Sequence, residues 1–355
     1  MHLAKLITGA LAGLLAGLMA AEAQTIGVAA PLSGASERLG RQIEDGAKLA
    51  AGANGASLVV ADDACSAEGG AQAARKLAGA KVGVVVGFLC TEAIEAALPI
   101  LKDAGIPVIT PGVRTESLTD QRDKTGWPVF RLAPRGDDER NAAAAILTRL
   151  WREDLFAVID DGTIYGRELA ETVRATAEQA ALKPAFVDTF RPQLDNQIGL
   201  VGRLRKAGAT RVFAGGDGAD IAIMARDAGK LGAEMTFAGG EALRAAQGDV
   251  PYTAGTLMIA QPEWAEAADK TVLDAFAAAE IVPEGYALPA YAAVEVALAA
   301  TVQAGGSTSL AQALSGHDFS TAIGPIRFDE KGDLTQNPYR IWRFDGTRFV
   351  PMETN

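Results

Sequence analysis

From residue 25 onward, short runs rich in Val, Ile and Leu alternate with longer Ala-rich stretches, and this alternation restricts the fold more than any other feature. Brief apolar runs suit strands buried on both faces, whereas longer stretches with a 3.6-residue rhythm suit helices. Strands are expected at residues 25–30, 58–61, 82–86 and 107–109, with helices at 41–53, 70–78 and 92–104 between them. The pattern then restarts, with helices at 138–151, 168–180, 197–207 and 219–231. Strands at 155–159, 186–190, 211–214 and 235–238 alternate with them. Repeated βα units of this length imply a parallel sheet with helices on both faces. Here they imply two such sheets.

The breaks fall near Ala133-Pro134 and Gln261-Pro262. After the second, an Ala-rich helix at 289–304 precedes a strand at 326–328 and closing strands at 340–344 and 348–350. Asp345-Gly346 marks a hairpin between the last two. The expected division is a leader at 1–23, a first lobe at 24–134 plus 262–338, and a second at 135–261 plus 339–355, although the order of elements alone does not prove this interleaving. Two open α/β lobes arranged in this way bind ligands between the carboxyl ends of their strands.

The leader reads as a secretory signal peptide. Lys5 precedes an apolar stretch, and Ala21-Glu22-Ala23 forms a small-x-small cleavage site before Gln24. The stretch is short and Gly/Ala-rich for a membrane span, and no cysteine stands at the cleavage site to take a lipid. The expected product is a soluble, exported chain without a lipid anchor. Its charge of −11 argues against nucleic acid and anionic membrane as partners.

Much chemistry is missing. No Gly-x-Gly-x-x-Gly or P-loop follows the first strand, so no nucleotide cofactor has a seat, and no Gly-x-Ser-x-Gly elbow is present. The two histidines are His2, in the leader, and His317, which leaves no His-dependent triad and no multi-His metal site. No cofactor and no metal are expected. The pattern suits a binder, not an enzyme.

Cys65 and Cys90, the two cysteines of the chain, each follow an expected strand. Two cysteines without a neighbouring His cannot complete a zinc site, which leaves free thiols or a disulfide. Export favours the disulfide. A bridge closing a loop of about 25 residues would stabilise by roughly 3–4 kcal/mol in the loop-entropy description.

Several short pieces, in order along the chain, resemble the periplasmic leucine/isoleucine/valine-binding proteins, the type I solute-binding components of ABC importers. They are Pro31-Leu32-Ser33-Gly34, Asp62-Asp63-Ala64-Cys65, Gly87-Phe88-Leu89-Cys90, Ile109-Thr110-Pro111, Tyr165-Gly166, Gly215-Gly216, Gly239-Gly240-Glu241, Gly324-Pro325 and Phe328-Asp329-Glu330-Lys331-Gly332-Asp333. The resemblance implies a two-lobed fold, each lobe a parallel sheet flanked by helices, joined by a multi-strand hinge. It also implies a Cys65–Cys90 disulfide. Its sheet order sets strands two and three on either side of strand one, with ends roughly 10 Å apart. The cysteine loops must then lean together over the end of strand one.

The same resemblance implies ligand contacts. Thr91, at a helix start, would hold a carboxylate; Gly112 and Arg114 would add contacts from the next strand's end. Tyr165 would close over the ligand, and Glu241 would pair with an α-ammonium group. Tyr286 would line the side-chain pocket. Three positions depart from the family pattern: Arg114 replaces a small hydroxyl residue, and Asp217 and Leu39 replace aromatics. Arg114 and Asp217 would either touch a polar ligand or pair with each other. The implied function is capture of an amino acid or related small polar or carboxylate ligand. The implied partner is an inner-membrane ABC permease, with the protein a monomer. A ligand sensor of the same fold is the second reading, and an exported hydrolase the third.

Overall fold

The computed structural model describes residues 25–245, 248–306 and 308–353, so the signal-peptide expectation lies outside the described residues. Five parallel strands form the first sheet: β1 (Thr25–Ala30), β2 (Ser57–Asp62), β3 (Val84–Gly87), β4 (Val108–Thr110) and β5 (Val129–Arg131), in the order β2-β1-β3-β4-β5. Val28 of β1 lies in register with Val60 on one side and Val86 on the other. Strands two and three therefore flank strand one.

The second sheet is built from β6 (Phe156–Asp160), β7 (Phe186–Thr189), β8 (Arg211–Gly215), β9 (Thr236–Gly239) and β10 (Leu257–Ala260). A separate hairpin joins β11 (Asp318–Thr321) to β12 (Gly324–Arg327). The chain then returns to the second sheet with β13 (Arg340–Phe344) and β14 (Phe349–Pro351), giving the order β14-β13-β10-β9-β8-β6-β7. β13 runs antiparallel to β10, and β14 antiparallel to β13 across the turn carrying Asp345-Gly346. The molecule thus has two lobes.

Three differences from the sequence reading have physical causes. β5, β10 and β11 were absent from it, because three or four residues with at most four apolar side chains give too little periodicity to read. Several helices begin about a turn earlier than expected, because polar residues sit outside the apolar rhythm. Ser66 and Thr163 accept from the backbone N–H groups of Gly69 and Gly166, and so start helices at Ala67 and Ile164. The second of these moves Tyr165 from a strand-end loop into the first turn of Ile164–Gln179.

Helix Ala287–Ala304 belongs to the first lobe, although it follows the second in sequence. It is buried with Ile26, Val28, Ile43 and Ala47 in one core cluster. It lies close against helix Glu37–Ala53, where a Cβ on Gly46 would overlap the Ala287 carbonyl oxygen. This helix is long and apolar enough to cross a membrane by composition, yet 67% of it is buried inside the protein.

Candidate functional site

The first lobe's strands all end toward one rim, and the disulfide sits there. Cys65 and Cys90 are bonded with Cα atoms 5.2 Å apart, within the usual range. Their loops do lean together: Asp62 and Asp63 turn the chain by accepting from the N–H groups of Ala64 and Cys65, both of which have positive φ. Cys90 occupies the cap position of helix Thr91–Asp103. Thr91 is therefore the first helical residue and not the N-cap, and its hydroxyl is free for another partner. That partner is Thr115, whose Oγ1 lies 2.6 Å from Thr91 Oγ1.

Thr115 was not singled out in the sequence. The small hydroxyl expected at position 114 is supplied one residue later, while Arg114 reaches elsewhere. Arg114 Nη2 donates to the Tyr339 hydroxyl at 2.6 Å, and Nη1 lies 4.0 Å from Glu241 Oε2. Tyr339 in turn donates to Glu241 Oε2 at 2.9 Å. Burial works against the Arg114 charge, but Tyr339, Glu241 and Glu139 outweigh it and hold its pKa above the ordinary value. A guanidinium from lobe one thus meets a carboxylate from lobe two.

Glu241 opens a short 3-10 turn after β9. Its backbone N–H donates to Glu139 Oε1 at 2.7 Å, and the same oxygen accepts from the Tyr165 hydroxyl at 2.7 Å. Burial raises the pKa of the Glu139 carboxyl. Gly240 makes this junction possible, because a Cβ there would collide with both Glu139 Oε1 and the Tyr165 hydroxyl. Glu139 and Tyr339 join the cluster without having been marked in the sequence. Glu139 lies in the first turn of helix Asp138–Leu150 and Tyr339 directly before β13, and neither position carries a local motif.

A second bridge spans the lobes beside the first. Glu116, two residues after Arg114, accepts from Arg140 at 3.2 Å. The Arg114 carbonyl also accepts from the N–H of Gly136 in the first crossover, at 2.7 Å.

Gly112, Arg114 and Tyr286 share the lining of a cavity of about 260 Å³, together with Leu132, Gln261, Trp264 and Ile323. The Tyr286 N–H donates to Gln42 Oε1 at 3.2 Å, which fixes its loop to helix Glu37–Ala53. Leu39 on that helix is 40% exposed and does not line the cavity. Asp217 is exposed at the start of helix Gly218–Lys230, where its charge acts on Asp220 and Tyr252. The considered Arg114–Asp217 pairing does not form: the acid that Arg114 meets is Glu241. Among the described residues no cluster of His, Cys, Asp and Glu could hold a metal ion.

Behind Thr115 lies a buried ionic network. The fully buried Arg131 donates through Nε and Nη2 to Asp333 Oδ1, at 2.9 and 2.6 Å, and through Nη1 to the Thr115 carbonyl at 2.6 Å. Asp333 Oδ2 accepts from Thr119 and from Arg135. The motif ending in Asp333 therefore supports the loop that presents Arg114 and Thr115.

Comparison with known proteins agrees with this architecture. The Periplasmic binding protein family matches residues 23–348. The leucine-, isoleucine-, valine-, threonine- and alanine-binding protein of Pseudomonas aeruginosa is 30% identical over 359 residues, covering 96% of this chain and 95% of that protein. An ABC transporter substrate-binding protein from Desulfitobacterium hafniense, solved with leucine, superposes with a TM-score of 0.64 at 21% identity, covering 93% of this chain and 99% of that one. A Rhodopseudomonas palustris solute-binding protein, solved with 3,4-dihydroxybenzoic acid, gives 0.61 at 17% identity, covering 90% and 92%. The chain belongs to the periplasmic binding protein family, a family of solute-binding proteins.

Proposed function

We propose that this protein is a periplasmic solute-binding component of an ABC importer. It captures an amino acid or related small carboxylate between its lobes and delivers it, as a monomer, to an inner-membrane permease. The observation that carries this reading is the meeting of Arg114 with Glu241 through the Tyr339 hydroxyl. A cation from one lobe and an anion from the other face a common cleft beside a cavity, and a small charged ligand can exchange with either. The relative from Pseudomonas aeruginosa is named for amino acids, and the structural neighbours were solved with leucine and with an aromatic acid.

In this reading, lobe one comprises 24–134 plus 262–338, and lobe two 135–261 plus 339–355. The ligand carboxylate rests on Arg114, the Thr91–Thr115 hydroxyls and the Gly112 backbone. Tyr165 and Glu241 close from lobe two by hinge bending, and Tyr286 packs on the ligand's body. Leu39 and Asp217, both exposed, reach the ligand only in a more closed form.

A thermal-shift screen across amino acids, amides and small carboxylates tests the reading. A true ligand raises Tm progressively as its concentration exceeds Kd. Arg114→Ala should weaken that ligand at least tenfold. A screen in which no compound shifts Tm at millimolar concentration would sink the proposal.

A further inference from the structure

The cavity beside Arg114 is large for a leucine-type side chain and unusual in its walls. Of its lining residues, Arg114 alone carries a charge; Leu132, Trp264, Tyr286 and Ile323 supply apolar and aromatic surface. An apolar cavity of about 150 Å³ already accepts benzene. At about 260 Å³, this one has room for a ring and a short chain leading to the guanidinium. A branched aliphatic side chain would cover less of these walls than a ring does and so make fewer dispersion contacts with them.

Leu132, Trp264 and Ile323 also line a second cavity of about 220 Å³. Trp264 is half-buried at the start of the four-residue helix Trp264–Ala267 and borders both cavities. Two aromatic rings on one cavity favour a third ring between them, in offset or edge-to-face contact.

We infer that the ligand is a carboxylate with a ring-sized apolar body. Its carboxylate meets Arg114, and its ring lies between Trp264 and Tyr286. This inference rests on the solute-binding reading and narrows it. Two kinds of molecule share the chemistry: an amino acid with an aromatic side chain, and an aromatic acid without the amine.

Calorimetric titration with phenylalanine, 3-phenylpropionate, leucine and alanine tests the inference. At least one ring-bearing compound should bind tenfold or more tightly than both leucine and alanine. Preference for phenylalanine over 3-phenylpropionate assigns an amine to Glu241, and the reverse removes it. Leucine or alanine binding as well as either ring compound would overturn the inference and leave solute binding standing. Binding of none of the four would also overturn it, whereas solute binding itself falls only if the broad screen is blank as well. Trp264→Leu should weaken the ring compound at least tenfold, and Ala133→Leu, which fills the cavity, should do the same. Unchanged affinity in both variants would place the ring elsewhere.

Discussion

Arg114 and Glu241 come from opposite lobes and are joined through a single hydroxyl, that of Tyr339, which accepts from the first and donates to the second. The direct separation is 4.0 Å, so the tyrosine carries the hydrogen bonds while the charges act across it. Tyr339 is 2% exposed and begins the last crossover's return into β13. The bridge thus ties the cleft to the hinge.

Tyr339→Phe keeps the ring and removes this bridge. Hydrogen bonds to charged groups contribute about 1.5–3 kcal/mol each, and Arg114 and Glu241 would both lose one. Some of that is recovered if the pair draws together, so the expected loss in the ligand-free protein is about 1–3 kcal/mol. Denaturant unfolding of the two proteins measures it. Equal stability would mean that the hydroxyl only fills space.

The disulfide sits directly before Thr91, so its removal should act locally as well as globally. The variant with Cys65→Ser and Cys90→Ser should lose about 3–4 kcal/mol of stability from loop entropy. Ligand affinity should fall too, because Cys90 sets the backbone that aims Thr91 at Thr115. Titrating the folded variant with the best ligand from the screen separates the two effects. A folded variant that binds as the parent does would confine the disulfide to a stabilising role.

The alternation of strands and helices was legible because the central strands of each sheet, such as β1, β3, β6 and β8, are covered on both faces and read as apolar runs. Helix Ala287–Ala304 was legible as a helix because it is apolar nearly all round, but its place in the first lobe is seen in the packing and not in the sequence. The site was harder to read. Arg114, Tyr165 and Glu241 could be marked because short motifs bracket them. Thr115, Glu139 and Tyr339 carry no local signal, and only the folding of the second lobe brings Glu139 and Tyr339, 200 residues apart, onto Glu241. Asp217 stood in a suggestive Gly-rich setting, yet it sits exposed near Asp220 and Tyr252.

Asp63 gives the protein a pH dependence of defined sign. Its side chain is fully buried, and Oδ2 has no hydrogen-bond partner. Burial pushes its carboxyl up to about 6 from 3.8; the Cys65 N–H opposes this, and the Asp62 charge adds to it. The folded protein therefore holds this proton more tightly than the unfolded chain. The contribution to stability declines as pH rises from about 4 and is gone above about 6. From pH 7 to pH 5 this group should add about 1 kcal/mol. Comparing the parent with Asp63→Asn across that range isolates the effect, since the variant should lack the increment. Parallel pH profiles would assign the dependence to other carboxylates.

The network around Asp333 makes the strongest demand on stability. Arg131 is fully buried, and its partner Asp333 is 4% exposed. Removing one member of such a pair leaves a buried charge uncompensated, at a cost of about 3–5 kcal/mol. Asp333→Ala should lose that much. Asp333→Asn retains the shape and one acceptor, so it should lose less and remain folded. In that variant the Arg131 guanidinium no longer faces a carboxylate, and its hold on the Thr115 carbonyl should loosen. Hydrogen exchange at the backbone amides of residues 114–119 should then rise relative to the rest of the first lobe. Destabilisation spread evenly over the lobe, without faster exchange in that loop, would show that Asp333 stabilises the hinge without positioning Arg114.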